Sequence, residues 1–120
     1  MIKYEVKMTN IGKDATAYLT SNSSFILMNE KIRPMLADMV VEHTVSDLAA
    51  DIVAGDKLLV GKSEFDVVKV GDAVNKNLRE EGHCTIVVNG EATMPGQIAV
   101  KGVRPPRLRF GNIVKFYTEE

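Results

Sequence analysis

The sequence predicts a mostly β domain, a sandwich or a closed barrel of short antiparallel strands, with one short helix. Three observations lead there. Short apolar stretches with strand spacing recur from the first residues to the last and are rich in Val, Ile and Thr. Turn signals such as Asn89-Gly90, Pro95-Gly96 and Pro105-Pro106 separate them at close intervals. Residues 72–81 are the best helix candidate, combining helical spacing with good start and stop residues.

In chain order, Ile2, Tyr4, Val6 and Met8 alternate with Lys3, Glu5, Lys7 and Thr9, a period-two strand ended by Asn10 and Gly12. Residues 15–20 and 25–28 read as two further short strands separated by Ser21-Asn22-Ser23-Ser24. Pro34 argues against a long helix over 30–38, because its ring blocks the preceding turn. Residues 39–48 read as extended, which puts Met39, Val41, His43 and Val45 on one face and Val40, Glu42, Thr44 and Ser46 on the other. Residues 46–53 admit two readings, a helical turn capped by Ser46 and ended by Gly55, or a loop. Lys57–Val60 and residues 65–70 pair as a hairpin around Gly61-Lys62-Ser63. In the helix at 72–81, Asp72 is the N-cap, Val74 and Leu78 share a face, and Gly82 ends it. Strands at Cys84–Val88, Gln97–Lys101 and Ile113–Tyr117 complete the chain.

The 120 residues suit one domain spanning 1–120, enough to bury about two thirds of the unfolded surface. A net charge of −1 gives no overall attraction to nucleic acid or anionic lipid. Cys84 is the single cysteine, so no intrachain disulfide can form, and it reads as a small buried hydrophobe. The amino terminus lacks the apolar core of a signal peptide, and no run reaches membrane-spanning length. A soluble cytoplasmic protein without membrane insertion is expected.

Several motifs fail on chemistry. Gly55 and Gly61-Lys62-Ser63 imitate a P-loop but are separated by five residues instead of four, and those residues are strand-like. Lys101, Arg104, Arg107 and Arg109 with Phe110 form a small basic cluster that reads as a solvated loop. Two distant histidines and one cysteine give no metal-ligand spacing, and there is no Gly-x-Ser-x-Gly elbow. What remains is His43, an imidazole set in an apolar row. Apolar surroundings favour the neutral ring, whose free lone pair suits a nitrogen nucleophile. His83 follows the glycine that ends the helix and could either support His43 or satisfy a backbone carbonyl.

Thr9-Asn10-Ile11-Gly12, Val41-Glu42-His43, the run from Phe65 to Gly71, Asn77-Leu78-Arg79-Glu80-Glu81-Gly82-His83, Val88-Asn89-Gly90 and Pro95-Gly96 occur in an order and spacing that cover nearly the whole chain. Together they resemble the glucitol/sorbitol-specific enzyme IIA of the bacterial phosphotransferase system. The resemblance implies a closed, mostly antiparallel β-barrel. It also implies that His43 accepts a phosphoryl group from the phosphocarrier protein HPr and passes it to a cysteine of the glucitol/sorbitol-specific enzyme IIB, which serves sugar uptake through the membrane IIC. No cofactor or metal is implied beyond the transient phosphohistidine. Two positions depart from the family pattern: Val45, where a second histidine is common, and Glu81, where leucine is common.

On this reading the ring of His43 sits at the barrel edge with a free nitrogen. His83 is the only other imidazole available to it, and His83 and backbone amides of the following loop outrank Thr44 and Ser46 as hydrogen-bond donors to the phosphoryl oxygens. Glu42, Asp47, Asp38 and Asp51 would form either an acidic rim that attracts a partner or a merely solvated face. A ring sealed in the core with both nitrogens occupied by other protein groups would overturn the carrier role and leave a small barrel of unknown purpose. The competing reading is then a barrel that binds a partner or small ligand without phosphotransfer. Nucleic-acid binding fits poorly with the neutral charge and few aromatics. A homodimer through an unpaired edge strand remains open.

Overall fold

Tyr4, Val6 and Met8, one parity of the first strand, all turn inward and are buried. The computed structural model describes residues 1–119. Its strands are β1 (Ile2–Ile11), β2 (Ser24–Asn29), β3 (Val41–His43), β4 (Lys57–Val60), β5 (Ser63–Val70), β6 (Cys84–Val88), β7 (Gln97–Lys101) and β8 (Ile113–Tyr117). They close into a barrel in the order β1-β3-β2-β6-β7-β5-β4-β8, with β8 returning to β1. Closure pairs both sides of every strand, so it removes the free edge through which a strand-to-strand homodimer could form. Six of the eight pairings are antiparallel, and β2–β3 and β6–β7 are parallel. The barrel expected from the resemblance is therefore observed.

The interior is filled from all sides, with Phe25, Leu27, Leu58, Ile86, Ile98 and Phe116 almost wholly buried. The Lys57–Val60, Cys84–Val88, Gln97–Lys101 and Ile113–Tyr117 strands fall where sequence spacing puts them. Pro34 permits only a single 3₁₀ turn at Pro34–Leu36. The Gly55 to Ser63 stretch carries β4, confirming that it is no phosphate loop.

Two expectations need correction. Residues 15–20, read as a strand, belong to a helix, α1 (Ala15–Asn22). Its buried residues are Ala15 and Leu19, spaced one helical turn apart, and Ser23 ends it in a left-handed conformation at φ 54°. The second helix, α2 (Val74–Glu81), starts two residues later than expected. Ala73 occupies the cap position without a side-chain bond, so Asp72 is no N-cap. Val74 and Leu78 are buried and Gly82 terminates the helix at φ 61°, both as the spacing predicts.

Residues 46–53 resolve to a loop, held by polar groups instead of a ladder. The Lys3 ammonium donates to the Asp51 carbonyl and lies 2.7 Å from Oδ2 of buried Asp56. The Asn75 side chain of α2 accepts from Ile52 N–H and donates to Ile52 C=O, tying helix to loop. The strand directions thus give the barrel two unlike ends. One carries α1 and the connection 102–112; the other carries α2, the loop after β3 and the end of β3 itself.

Candidate functional site

Three residues make a weak strand, so β3 depends on its neighbours. His43 is opposite Met8 of antiparallel β1 and beside Asn29 of parallel β2. Residues in parallel register share a face, so Asn29 and His43 both turn into the barrel. Val41 points the same way, while Met39 and Val45, the outer members of the expected row, are exposed. The row therefore holds only for Val41 and His43.

The expectation of an imidazole at the rim is not met. His43 is 0 % exposed, and each ring nitrogen faces a backbone carbonyl: Nδ1 lies 2.8 Å from Thr44 O, and Nε2 lies 2.9 Å from Gly82 O. The physical reason is the cap formed by α2, whose terminal glycine carries its carbonyl over the barrel end. A neutral imidazole has one N–H and one lone pair. It can satisfy only one of the two carbonyls, and only the doubly protonated ring could donate to both.

Gly82 fits nothing larger. A Cβ there would stand 2.0 Å from Asn29 Oδ1 and 2.7 Å from His43 Cε1, in a backbone conformation that L side chains rarely adopt. Tyr4 presents its ring edge-on to His43, with centroids 6.2 Å apart at 87°. Among the described residues, two buried side-chain polar atoms lack a hydrogen-bond partner, Tyr4 OH and Asn29 Oδ1. Burial, aided by nearby Cys84, pushes the Tyr4 hydroxyl up to about 12, so it stays protonated. Burial also raises the Cys84 thiol far above neutrality, so Cys84 is the inert core residue expected.

The other sequence candidates separate. His83 is half-buried beside Gly82, and both nitrogens of His43 contact carbonyls, so the His83 imidazole does not bond to that ring. The Thr44 hydroxyl accepts from Lys7 N–H, away from the ring as strand geometry requires. Glu42 is buried instead of on the rim: its carboxylate accepts from the Asn10 amide and the Lys31 N–H, both at 2.9 Å. Asp38 pairs with Lys13 near the far end, and Asp51 pairs with Arg79 of α2. Glu81 is ion-paired with Arg33, which ties the last turn of α2 to the connection between β2 and β3. Arg104, Arg107 and Arg109 of the basic cluster line a groove of about 760 Å³ at the end away from His43, which Lys101 and Phe110 do not border. Among the described residues, no three His, Cys, Asp or Glu side chains converge as a metal set. Sequence reading missed Asn29; the signal was an asparagine, a residue depleted in strands, closing the apolar run from Phe25 to Met28.

A family model described as the "PTS system glucitol/sorbitol-specific IIA component" matches residues 3–115. The chain belongs to this family. It is 31 % identical over 115 residues to the "PTS system glucitol/sorbitol-specific EIIA component" of Shigella flexneri, covering 94 % of this chain and 93 % of that one. The protein of the same description from Escherichia coli (strain K12) is 30 % identical over the same spans. A crystal structure of the PTS system IIA component from Enterococcus faecalis V583 superposes with a TM-score of 0.84 at 22 % identity, covering 96 % of this chain and all of that one, which is a likeness of fold. Membership in this IIA family carries a phosphotransferase-type role in sugar transport. No helix among the described residues is long and apolar enough to cross a membrane.

Proposed function

We propose that His43 is the phosphoryl carrier of this IIA component. It takes the group from the phosphohistidine of HPr and hands it to a cysteine of the glucitol/sorbitol-specific enzyme IIB, in the cytoplasm. The observation that supports this reading is the mismatch at the ring, where two carbonyls face an imidazole that has one N–H when neutral. In this reading the ring that reacts is neutral with its proton on Nδ1, donated to Thr44 O, which belongs to the next residue and moves with His43. Nε2 then points a lone pair at the Gly82 carbonyl, and this contact is repulsive. Withdrawal of the turn between α2 and β6 relieves it and opens Nε2.

The lone pair of Nε2 attacks phosphorus in line, and the N–P bond of the donor breaks with its electron pair left on the donor ring. In the onward step a cysteine thiolate attacks, and the pair of the new N–P bond returns to Nε2. A reactive phosphohistidine donor needs no metal for this exchange. The contacts with partners are transient, so each interface should bury less than about 1,200 Å².

The test is incubation with phosphoenolpyruvate, enzyme I and HPr, followed by intact mass. Wild type gains one acid-labile, base-stable phosphoryl group, His43→Ala gains none, and His83→Ala gains it more slowly. Phosphate remaining on His43→Ala would overturn the assignment. The sealed ring favours a second reading, a barrel that binds a partner without phosphotransfer. A folded wild type that takes no phosphate from phospho-HPr would establish it.

A further inference from the structure

A side-chain amide offers two N–H donors and one acceptor, and a buried amide atom left without a partner costs stability. Asn29 carries one such atom: the residue is 9 % exposed and its Oδ1 is buried without a hydrogen-bond partner. Its backbone is nonetheless tightly held. Asn29 is in register with His43 at the end of β2, Glu30 N–H donates to His43 O at 2.9 Å, and Lys31 N–H donates to the Glu42 carboxylate.

The amide also points at the reacting ring. Asn29 Oδ1 and His43 Cε1 lie 2.0 and 2.7 Å from one point, the place a side chain on Gly82 would fill. Cε1 is bonded to Nε2, and both Cε1 and Asn29 Oδ1 border the place a side chain on Gly82 would fill, so a phosphoryl group on Nε2 would stand on the side of the ring that the amide borders. Turning the amide by half a rotation about its Cβ–Cγ bond replaces Oδ1 with Nδ2. The other strand neighbour of His43 is Met8, whose side chain has no N–H or O–H and whose backbone N–H is taken by Asn112 O.

We propose that Asn29 is a phosphoryl-binding residue whose amide N–H donates to an oxygen of phosphorylated His43. The inference rests on the carrier reading above. It explains why a clamped, buried amide carries an atom without a partner: its partner arrives with the phosphoryl group. The donor favours both the transition state of transfer, where charge gathers on the equatorial oxygens, and the phosphorylated product.

The test compares wild type with Asn29→Ala and Asn29→Asp, which keeps the shape but replaces the donor with a charge. Expected is a fall in the rate of phosphate acceptance from phospho-HPr of about 10²–10³ for Asn29→Ala, as for loss of other oxyanion donors. Asn29→Asp should fall at least as far. The phosphorus resonance and hydrolysis lifetime of phospho-His43 should shift as well, which a purely structural role would not cause. Folded variants that accept phosphate on His43 at the wild-type rate, with unchanged resonance and lifetime, overturn the inference while leaving the carrier reading intact. A wild type that takes no phosphate on His43 overturns both. Should the variants fail to fold, wild type labelled with ¹⁵N-asparagine decides: the Asn29 side-chain NH₂ signal moves on phosphorylation, and a stationary signal refutes the proposal.

Discussion

Gly82→Ala tests the packing of the cap against the ring most directly. Two costs are expected. Gly82 has φ 61°, and a left-handed conformation costs a residue with a Cβ about 1–2 kcal/mol. The new methyl would also stand 2.0 Å from Asn29 Oδ1 and 2.7 Å from His43 Cε1, so the ring, the amide or the end of α2 must shift. Overpacking of this kind typically costs about 1–3 kcal/mol. The total is about 2–5 kcal/mol, a large share of the 5–15 kcal/mol typical of a domain. Gly55→Ala is the control, since Gly55 has φ 98° and nothing within 4 Å of an added Cβ. Urea unfolding of both variants, with unchanged slopes, isolates the clash as the difference between them. If Gly82→Ala is no less stable than Gly55→Ala, the cap is loose and the close contact with the ring is not what holds the site shut.

Other substitutions probe separate parts of the site and its supports. Tyr4→Phe removes a buried hydroxyl that has no partner, so it should raise stability by about 1 kcal/mol in urea unfolding; a loss of that size would mean the hydroxyl is bonded. Asp56→Asn leaves the buried Lys3 ammonium without its counter-charge and should cost about 3–5 kcal/mol. Burial alone would raise the Asp56 carboxyl, but hydrogen bonds from Lys3, Val53 N–H and Thr118 hold it below the usual range. Its stabilisation is therefore present above the unfolded carboxylate range and lost as pH falls through the lower folded value. Acid titration should show Asp56→Asn losing less stability than wild type over that interval. Arg33→Ala breaks an exposed ion pair to Glu81, so stability should change by less than about 1 kcal/mol. If the end of α2 gates His43, the same variant accepts phosphate faster, and an unchanged rate would remove the pair from the gate.

Legibility in the sequence followed how local each determinant is. The period of two in β1, and the apolar runs of β6, β7 and β8 between Gly and Pro signals, are local and were readable. Helix α1 was misread because Ala-Thr-Ala-Tyr-Leu-Thr mixes small, β-branched and aromatic residues; only the burial of Ala15 and Leu19 reveals its period. The loop after β3 is pinned by Lys3, Asp56 and Asn75, which come from distant parts of the chain. The same holds at the site. An apolar row around His43 was visible, but the carbonyl over Nε2 comes from 39 residues away. Glu42 read as a surface charge because nothing near it in sequence announces Asn10 and the Lys31 amide as partners. The glycine at position 82 looked like a helix terminator, and it also serves as the only residue small enough to cover the ring.

The two sides of His43 are built from different kinds of structure, and this bears on how the site opens. Met8 and Asn29 flank it through the sheet, where β3 is hydrogen-bonded to a neighbour on each side. Shifting them means breaking ladder bonds in a closed barrel whose strands all depend on one another. Thr44 and Gly82 face its nitrogens from a loop and a helix end. Moving Gly82 involves the Asn75–Ile52 bonds and the exposed Arg33–Glu81 and Arg79–Asp51 pairs, each individually weak. If the site opens as the carrier proposal requires, the Gly82 side is where it should do so, with the sheet side keeping the ring and the Asn29 amide in fixed relation. A carrier that must expose one nitrogen to two successive partners gains from this division. On the proposal, the groups that would bind the phosphoryl group, His43 and Asn29, stay in place while the Gly82 turn moves.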